Sequence, residues 1–156
     1  DTLTYKEAIH DVDAEEWKIQ MNREITSLIA QGTWEIMKKS AVTNKIIPGT
    51  WTLCCKRNPD GTLKGLKACW CVHGDLQLLV EDTYAPVVHW SSICLVLYFT
   101  LFFKLSMRCI DFSNVFVQAT LEDDIFVHLP CGFHSINGND VCLKLKKSLY
   151  GITQAP

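Results

Sequence analysis

The sequence predicts an α+β domain, and three observations predict it. Trp17, Met21, Ile25, Leu28 and Ile29 recur at the spacing of one helical face. Asn58-Pro59-Asp60-Gly61 is a strong turn signal between two runs of β-forming residues. Ile93–Phe103 is an apolar run of 11 residues interrupted only by Thr100. It is too short to span a bilayer and reads as a buried helix.

The 156 residues suffice for one domain, or for part of a larger one. Hydrophobic residues make up 48% and charged residues 21%, so the chain is globular and not disordered. The net charge of −2 is unevenly spread. Residues 1–30 carry three cations against seven acids, and residues 31–73 carry seven cations against two acids. A basic block of that size meets phosphates or simply faces solvent. The first residues are polar and acidic, which predicts no secretory signal and an intracellular chain of unassigned compartment. The start at Asp1 and the stop at Gln154-Ala155-Pro156 lead us to expect a fragment.

In chain order, Asp13 with Glu16 resembles a capping box and opens an amphipathic helix over Ala14–Gln31, with Gly32 as its stop. Thr33–Met37 and Thr50–Arg57 read as strands. Leu66–His73 returns after the turn to complete a basic hairpin. Gly74–Val80 reads as loop and Glu81–Pro86 as extended chain up to the proline. Ser91 or Ser92 caps the apolar helix Ile93–Lys104. Met107–Phe112 is a short β-type run. It carries Asp111 and turns into a helix-like segment, Asn114–Ala119. Ile125–Leu129 and Val141–Lys146 form an antiparallel pair, and Leu149–Pro156 begins a new turn and helix.

The residues alone carry little chemistry. Cys54, Cys55, Cys69 and Cys71 lie on the hairpin and invite a zinc reading, but without the paired spacing zinc favours. A turn closed by Asn58 and Gly61 places Cys54 opposite Gly65 and Cys69 opposite Thr50. Four residues of offset, roughly 13 Å at strand rise, is too far for one metal. Cys94, Cys109, Cys131 and Cys142 read as small buried hydrophobes. Glu122-Asp123-Asp124 reads as a solvated turn, and the five histidines form no ligand spacing. Asp111, taken alone, reads as a turn or helix cap.

Five blocks, in order, resemble the reverse transcriptase domain of Ty1/copia-type LTR retrotransposons, from about Ala8 to Pro156. EEWKIQMNREITSLIAQGTWEIM is similar to the family's opening helix, with its tryptophan, its Met-x-x-Glu and the following Thr-Trp. WTLCCKRNPDGTLKGLKACWCVHGDLQ resembles the fingers hairpin, and DTYAPVVHWSSICLVL the T-[FY]-A-P-V-V segment and its helix. IDFSNVFVQATLEDDIFVHLPCGF resembles polymerase motif A and the hairpin after it. LKLKKSLYGITQAP resembles L-K-K-[SA]-L-Y-G-L-K-Q-[AS]-P.

The resemblance implies the fingers and partial palm of a right-hand polymerase. Fingers would comprise about 1–86 and 119–150, and palm about 87–118 and 151–156. It implies templated DNA synthesis from an RNA or DNA template with a primer and dNTPs, within a retrotransposon polyprotein and without a membrane. That chemistry uses two Mg²⁺ ions held by carboxylates, and cations on the triphosphate. Asp111 matches the motif A aspartate, a metal ligand in the family, and the Phe112 backbone goes with it. Phe116 falls where the family places an aromatic that excludes the ribose 2′-OH. Tyr150 and Gly151 fall in motif B beside the incoming nucleotide. Lys56 and Lys67 lie on the hairpin that covers the triphosphate.

The departures set a further expectation. The family's triphosphate-binding arginine in K-A-R is Cys69 here, and a neutral thiol cannot replace a guanidinium fork. Two other positions where the family commonly has arginine read His73 and Cys94, and the Gln77–Glu81 loop is shorter than usual. Such changes are what C-to-T transitions in CpG-containing arginine codons produce. The chain has three arginines against twelve lysines and eight cysteines. The Tyr-x-Asp-Asp that supplies the remaining carboxylates in the family is absent from residues 1–156. This chain alone is therefore expected to be inactive. The alternative is a non-catalytic remnant that at most binds nucleic acid weakly through the basic hairpin.

Overall fold

Two antiparallel-rich sheets and a long amphipathic helix make up the ordered centre of the computed structural model. It describes residues 2–77, 88–110, 117, 119–121, 123–133 and 140–153. The expected extended segment Glu81–Pro86 lies outside them, as do most of the helix-like Asn114–Ala119 and the end of Gly74–Val80. The chain begins with β1 (Thr2–Leu3), α1 (Tyr5–Ala8), α2 (Ala14–Ala30) and β2 (Trp34–Lys38). It continues through β3 (Ile46–Ile47), β4 (Gly49–Arg57) and β5 (Leu63–Val72) to α3 (Trp90–Phe102), β6 (Phe126–Val127) and β7 (Val141–Leu145). One sheet has the order β1-β4-β5; the other has the order β2-β7-β6-β3, with only β3 and β6 parallel.

The α2 helix forms where its apolar period places it, and Trp17, Met21, Ile25 and Leu28 are buried. Ile29, expected on the same stripe, is 59% exposed. It sits one residue beyond Leu28, about 100° round the helix, so it points off the core face. The expected capping box at Asp13 is absent: Asp13 makes no side-chain cap. A capping box forms instead at α1, where the Thr4 hydroxyl and the Glu7 carboxylate satisfy each other's backbone amides. The helix ends at Gly32 in a Schellman pattern, with the Thr33 amide donating to Leu28 and the Gly32 amide to Ile29. Lys147 adds a cation there, donating to the Gln31 carbonyl at 2.7 Å.

The β4–β5 hairpin forms as expected, but in a different register. Its turn has three loop residues: Asn58 and Thr62 are the closing pair, and Gly61 has a φ of +85°. Gly61 can take that left-handed conformation because it has no Cβ, and a type I turn then closes through a bulge. A second irregularity between Lys56 and Arg57 shifts the ladder once more. Cys54 therefore faces Lys67 instead of Gly65, and Cys69 faces Thr52 instead of Thr50. The offset between Cys54 and Cys69 falls from four residues to two.

One hydrophobic cluster joins α2 to both sheets through Leu53, Ala68, Trp70 and Val72 on one side and Leu143, Leu145 and Leu149 on the other. Trp34 meets Trp70 edge-on at 5.6 Å across the join. The β6–β7 pair forms as expected, with Phe126 opposite Lys144. The Asp124 part of the acidic run is exposed and pairs with Lys144 at 2.6 Å.

The apolar helix departs from expectation in two ways. It starts at Trp90 after His89, so Ser91 and Ser92 lie inside it and neither caps it. It has no buried residue either: Leu101 is 79% exposed and Trp90 73%. An apolar sequence is buried only where another element covers it, and no described element packs closely on α3. Met107–Ile110 forms no strand for a related reason: no strand among the described residues pairs with it. Of the four scattered cysteines, Cys142 is buried as expected, whereas Cys94, Cys109 and Cys131 are exposed.

Candidate functional site

The outer edge of β5 organises the candidate site. Strand residues alternate, so the amides of Trp70, Val72 and Gly74 all point away from β4. Each has a partner outside the sheet. The Trp70 amide donates to the Glu24 carboxylate of α2. The Val72 amide donates to the Tyr150 carbonyl at 2.8 Å, and the Gly74 amide to the Gly151 carbonyl at 2.9 Å. The edge is thereby closed by a helix carboxylate and by the Tyr150-Gly151 turn. Thr153 continues the docking, its amide and hydroxyl both donating to the Gln77 side-chain oxygen at 2.9 Å.

Lys67, Cys69 and Cys71 lie on the exposed face of β5, opposite Cys54, Thr52 and Thr50. Thr52 and Cys71 are in contact, hydroxyl to sulfur, at 3.4 Å. Lys67, Cys69, Tyr150 and Glu24 sense one another electrostatically. Burial pushes the Cys69 thiol up, the Glu24 charge adds to this, and Lys67 partly offsets it. The thiol is therefore neutral at pH 7. The Lys67 ammonium is held above its ordinary range first by attraction to the Cys69 sulfur. That attraction needs a thiolate and belongs to alkaline pH. Burial also raises the Tyr150 phenol, with Cys69 adding to the shift.

Glu24 is the residue that sequence reasoning missed, although it is the glutamate of the Met-x-x-Glu noted in the opening helix. Burial raises its carboxyl, against the opposing pull of the Trp70 amide and of Lys67. A carboxyl raised on folding favours the native state while protonated, and that contribution is lost as pH rises through its folded value. Glu24→Gln keeps an oxygen for the Trp70 amide and removes the charge. Its unfolding midpoint is expected to exceed that of the parent at pH 7. The gap should close as pH falls below the ordinary carboxylate range. Equal midpoints at pH 7 in a denaturant titration would contradict this account of Glu24.

Of the residues the sequence singled out, four are described. Lys67, Tyr150 and Gly151 come together at the β5 edge. Lys56 faces Gly65 on the same face as Lys67, two pairs nearer the turn. Asp111, Phe112 and Phe116 lie outside the described residues. Among the described residues, no group of three or more His, Cys, Asp or Glu side chains is placed to hold a metal ion. No helix among them is long and apolar enough to cross a membrane.

Comparison with known proteins places these features in a family context. The family described as "Reverse transcriptase (RNA-dependent DNA polymerase)" matches residues 31–156. The retrovirus-related Pol polyprotein from transposon RE1 of Arabidopsis thaliana is 32% identical over 152 residues, covering 96% of this chain and 10% of that protein. The corresponding polyprotein from transposon RE2 of the same plant is 30% identical over 152 residues, with the same coverage. The polyprotein from transposon TNT 1-94 of Nicotiana tabacum is 33% identical over 76 residues, 49% of this chain and 6% of that protein. The chain thus spans a tenth or less of the length of these relatives. No solved structure matches it.

Proposed function

Because the chain belongs to the reverse transcriptase family of copia-type retrotransposons, we propose that it is a fingers-and-partial-palm segment of a right-hand DNA polymerase. Fingers comprise about residues 1–86 and 119–150, and palm about 87–118 and 151–156. The complete enzyme copies an RNA or DNA template onto a primer from dNTPs, and this segment is one part of a retrotransposon polyprotein.

The observation that supports this reading most is the joining of the basic hairpin to the Tyr150-Gly151 turn through the Val72 and Gly74 amides. It fixes Lys67 and Tyr150 in one cluster, as a site must that positions a nucleotide between triphosphate and sugar. In this reading Lys56 and Lys67 neutralise triphosphate charge, and Tyr150 and Gly151 border the nucleotide. Phe116 screens the ribose, and Asp111 with the Phe112 carbonyl contributes to metal binding.

Residues 1–156 do not by themselves fit a pair of Mg²⁺ ions. Asp111 is the motif A carboxylate, and no Tyr-x-Asp-Asp accompanies it in these residues. Such a pair, when bound in a complete enzyme, supplies the charge that activates the primer 3′ oxygen and stabilises the pyrophosphate. The 156-residue chain is accordingly expected to give no extension of a primer–template with dNTPs and Mg²⁺. Synthesis that disappears in Asp111→Asn would overturn that expectation.

Cys69 favours a second reading, that of a decayed, non-catalytic remnant. It stands where the resemblance places the triphosphate-binding arginine, and its thiol is neutral at pH 7. It can offer neither charge nor a fork of donors to a phosphate.

A further inference from the structure

We propose that Cys69 and Cys71, side by side on the exposed face of β5, form a dithiol site for a soft monovalent cation of the Cu(I) class. The two residues are separated by one position on the strand, so their side chains share a face. Two strand steps put their backbones about 7 Å apart. A metal–thiolate bond is about 2.3 Å, so two such bonds in line span roughly 4.6 Å. Two cysteine side chains leaning toward each other close the difference. Both cysteines are free and only partly buried, so an ion can reach them from solvent. Cys69 also senses Cys71 electrostatically.

Ligand number decides which ion fits. Zinc takes four ligands in a structural site and three in a catalytic one. Among the described residues no group of three or more His, Cys, Asp or Glu side chains could hold a metal. A pair of thiols satisfies only an ion content with two ligands in line, and soft thiolates select Cu(I). On binding, both S–H bonds break, two S–Cu bonds form and two protons leave to water. The copper stays Cu(I), so no electron moves. Two thiolates around a monovalent cation leave one negative charge. Lys67, two residues before Cys69 on the same face, supplies the opposing cation. The Thr52 hydroxyl lies 3.4 Å from the Cys71 sulfur and can donate to it once it is a thiolate.

The test is competition for Cu(I) between the 156-residue chain and bicinchoninate, without oxygen and with ascorbate as reductant. The parent is expected to withdraw one tightly held equivalent. Cys69→Ser and Cys71→Ser are each expected to weaken it by more than about 100-fold, beyond what loss of an outer partner of a metal ligand costs. Cys54→Ser, on the same face of the neighbouring strand, and Cys131→Ser, at an exposed position elsewhere, are expected to keep it. Unfolding midpoints are recorded for every variant. A second readout needs no variant: Cu(I) should protect Cys69 and Cys71 of the parent from alkylation while Cys131 still reacts, as mapped by mass spectrometry. No tight equivalent in the parent, its retention in folded Cys69→Ser or Cys71→Ser, or alkylation of all three thiols in the loaded protein would overturn the proposal. The measurement involves no nucleotide and no synthesis, so its failure and that of the polymerase reading are separate results.

Discussion

Replacing Gly151 with alanine is expected to destabilise the domain by about 2–4 kcal/mol, read as a lower midpoint in denaturant unfolding. Two costs combine. Gly151 has a φ of +90°, a backbone region that side chains with a Cβ rarely occupy. A Cβ there would also overlap the Val72 carbonyl oxygen, on the strand to which this turn is tied. The Val72–Tyr150 and Gly74–Gly151 bonds and the burial of Leu149 and Ile152 all depend on that close approach. The opposite wall is equally tight. A Cβ on Gly74 would overlap the Gly151 carbonyl, so Gly74→Ala should give a loss of similar size. Gly65→Ala is the control. Nothing lies within 4 Å of a Cβ there and its φ is ordinary, so a change within about 1 kcal/mol is expected. If Gly151→Ala matched Gly65→Ala, the turn would not be held against β5 as described.

These contacts explain which parts of the fold were legible in the sequence. The α2 period, the Asn58–Gly61 turn and the β6–β7 pair are local patterns, and local patterns survive into the structure. The hairpin register did not follow from the turn dipeptide, because a third loop residue and a second irregularity each moved it by one. Burial of α3 was the least legible feature. Its sequence reports that it is apolar, but whether it is buried depends on a covering surface that its own residues do not encode. The site was legible in the same uneven way. Lys67, Tyr150 and Gly151 were named from motif blocks 83 residues apart between Lys67 and Tyr150, and they meet at the β5 edge. Glu24 was read only as part of a helix motif. Its position at the Trp70 amide depends on how α2 lies along β5, which periodicity does not specify.

Cys69→Arg carries the other large expected effect. The side chain at 69 is half-buried and interacts electrostatically with Lys67, Tyr150 and Glu24. A guanidinium has five donors in a planar fork. Two of them can engage Glu24, whose half-buried charge is destabilising, and this fixes the fork's direction. The remaining donors, with Lys67, then face the position proposed for the triphosphate. Hydrogen bonds to a charged group are worth about 1.5–3 kcal/mol each, so one retained bond gives roughly a tenfold gain.

The direct measurement is equilibrium binding of dATP with Mg²⁺ to the parent chain, Cys69→Arg and Cys69→Ala, each with its unfolding midpoint recorded. Cys69→Arg is expected to bind at least about tenfold tighter than the parent, and Cys69→Ala to match the parent. Folded Cys69→Arg that bound dATP no more tightly than Cys69→Ala would contradict the placement of the triphosphate beside Lys67 and Tyr150.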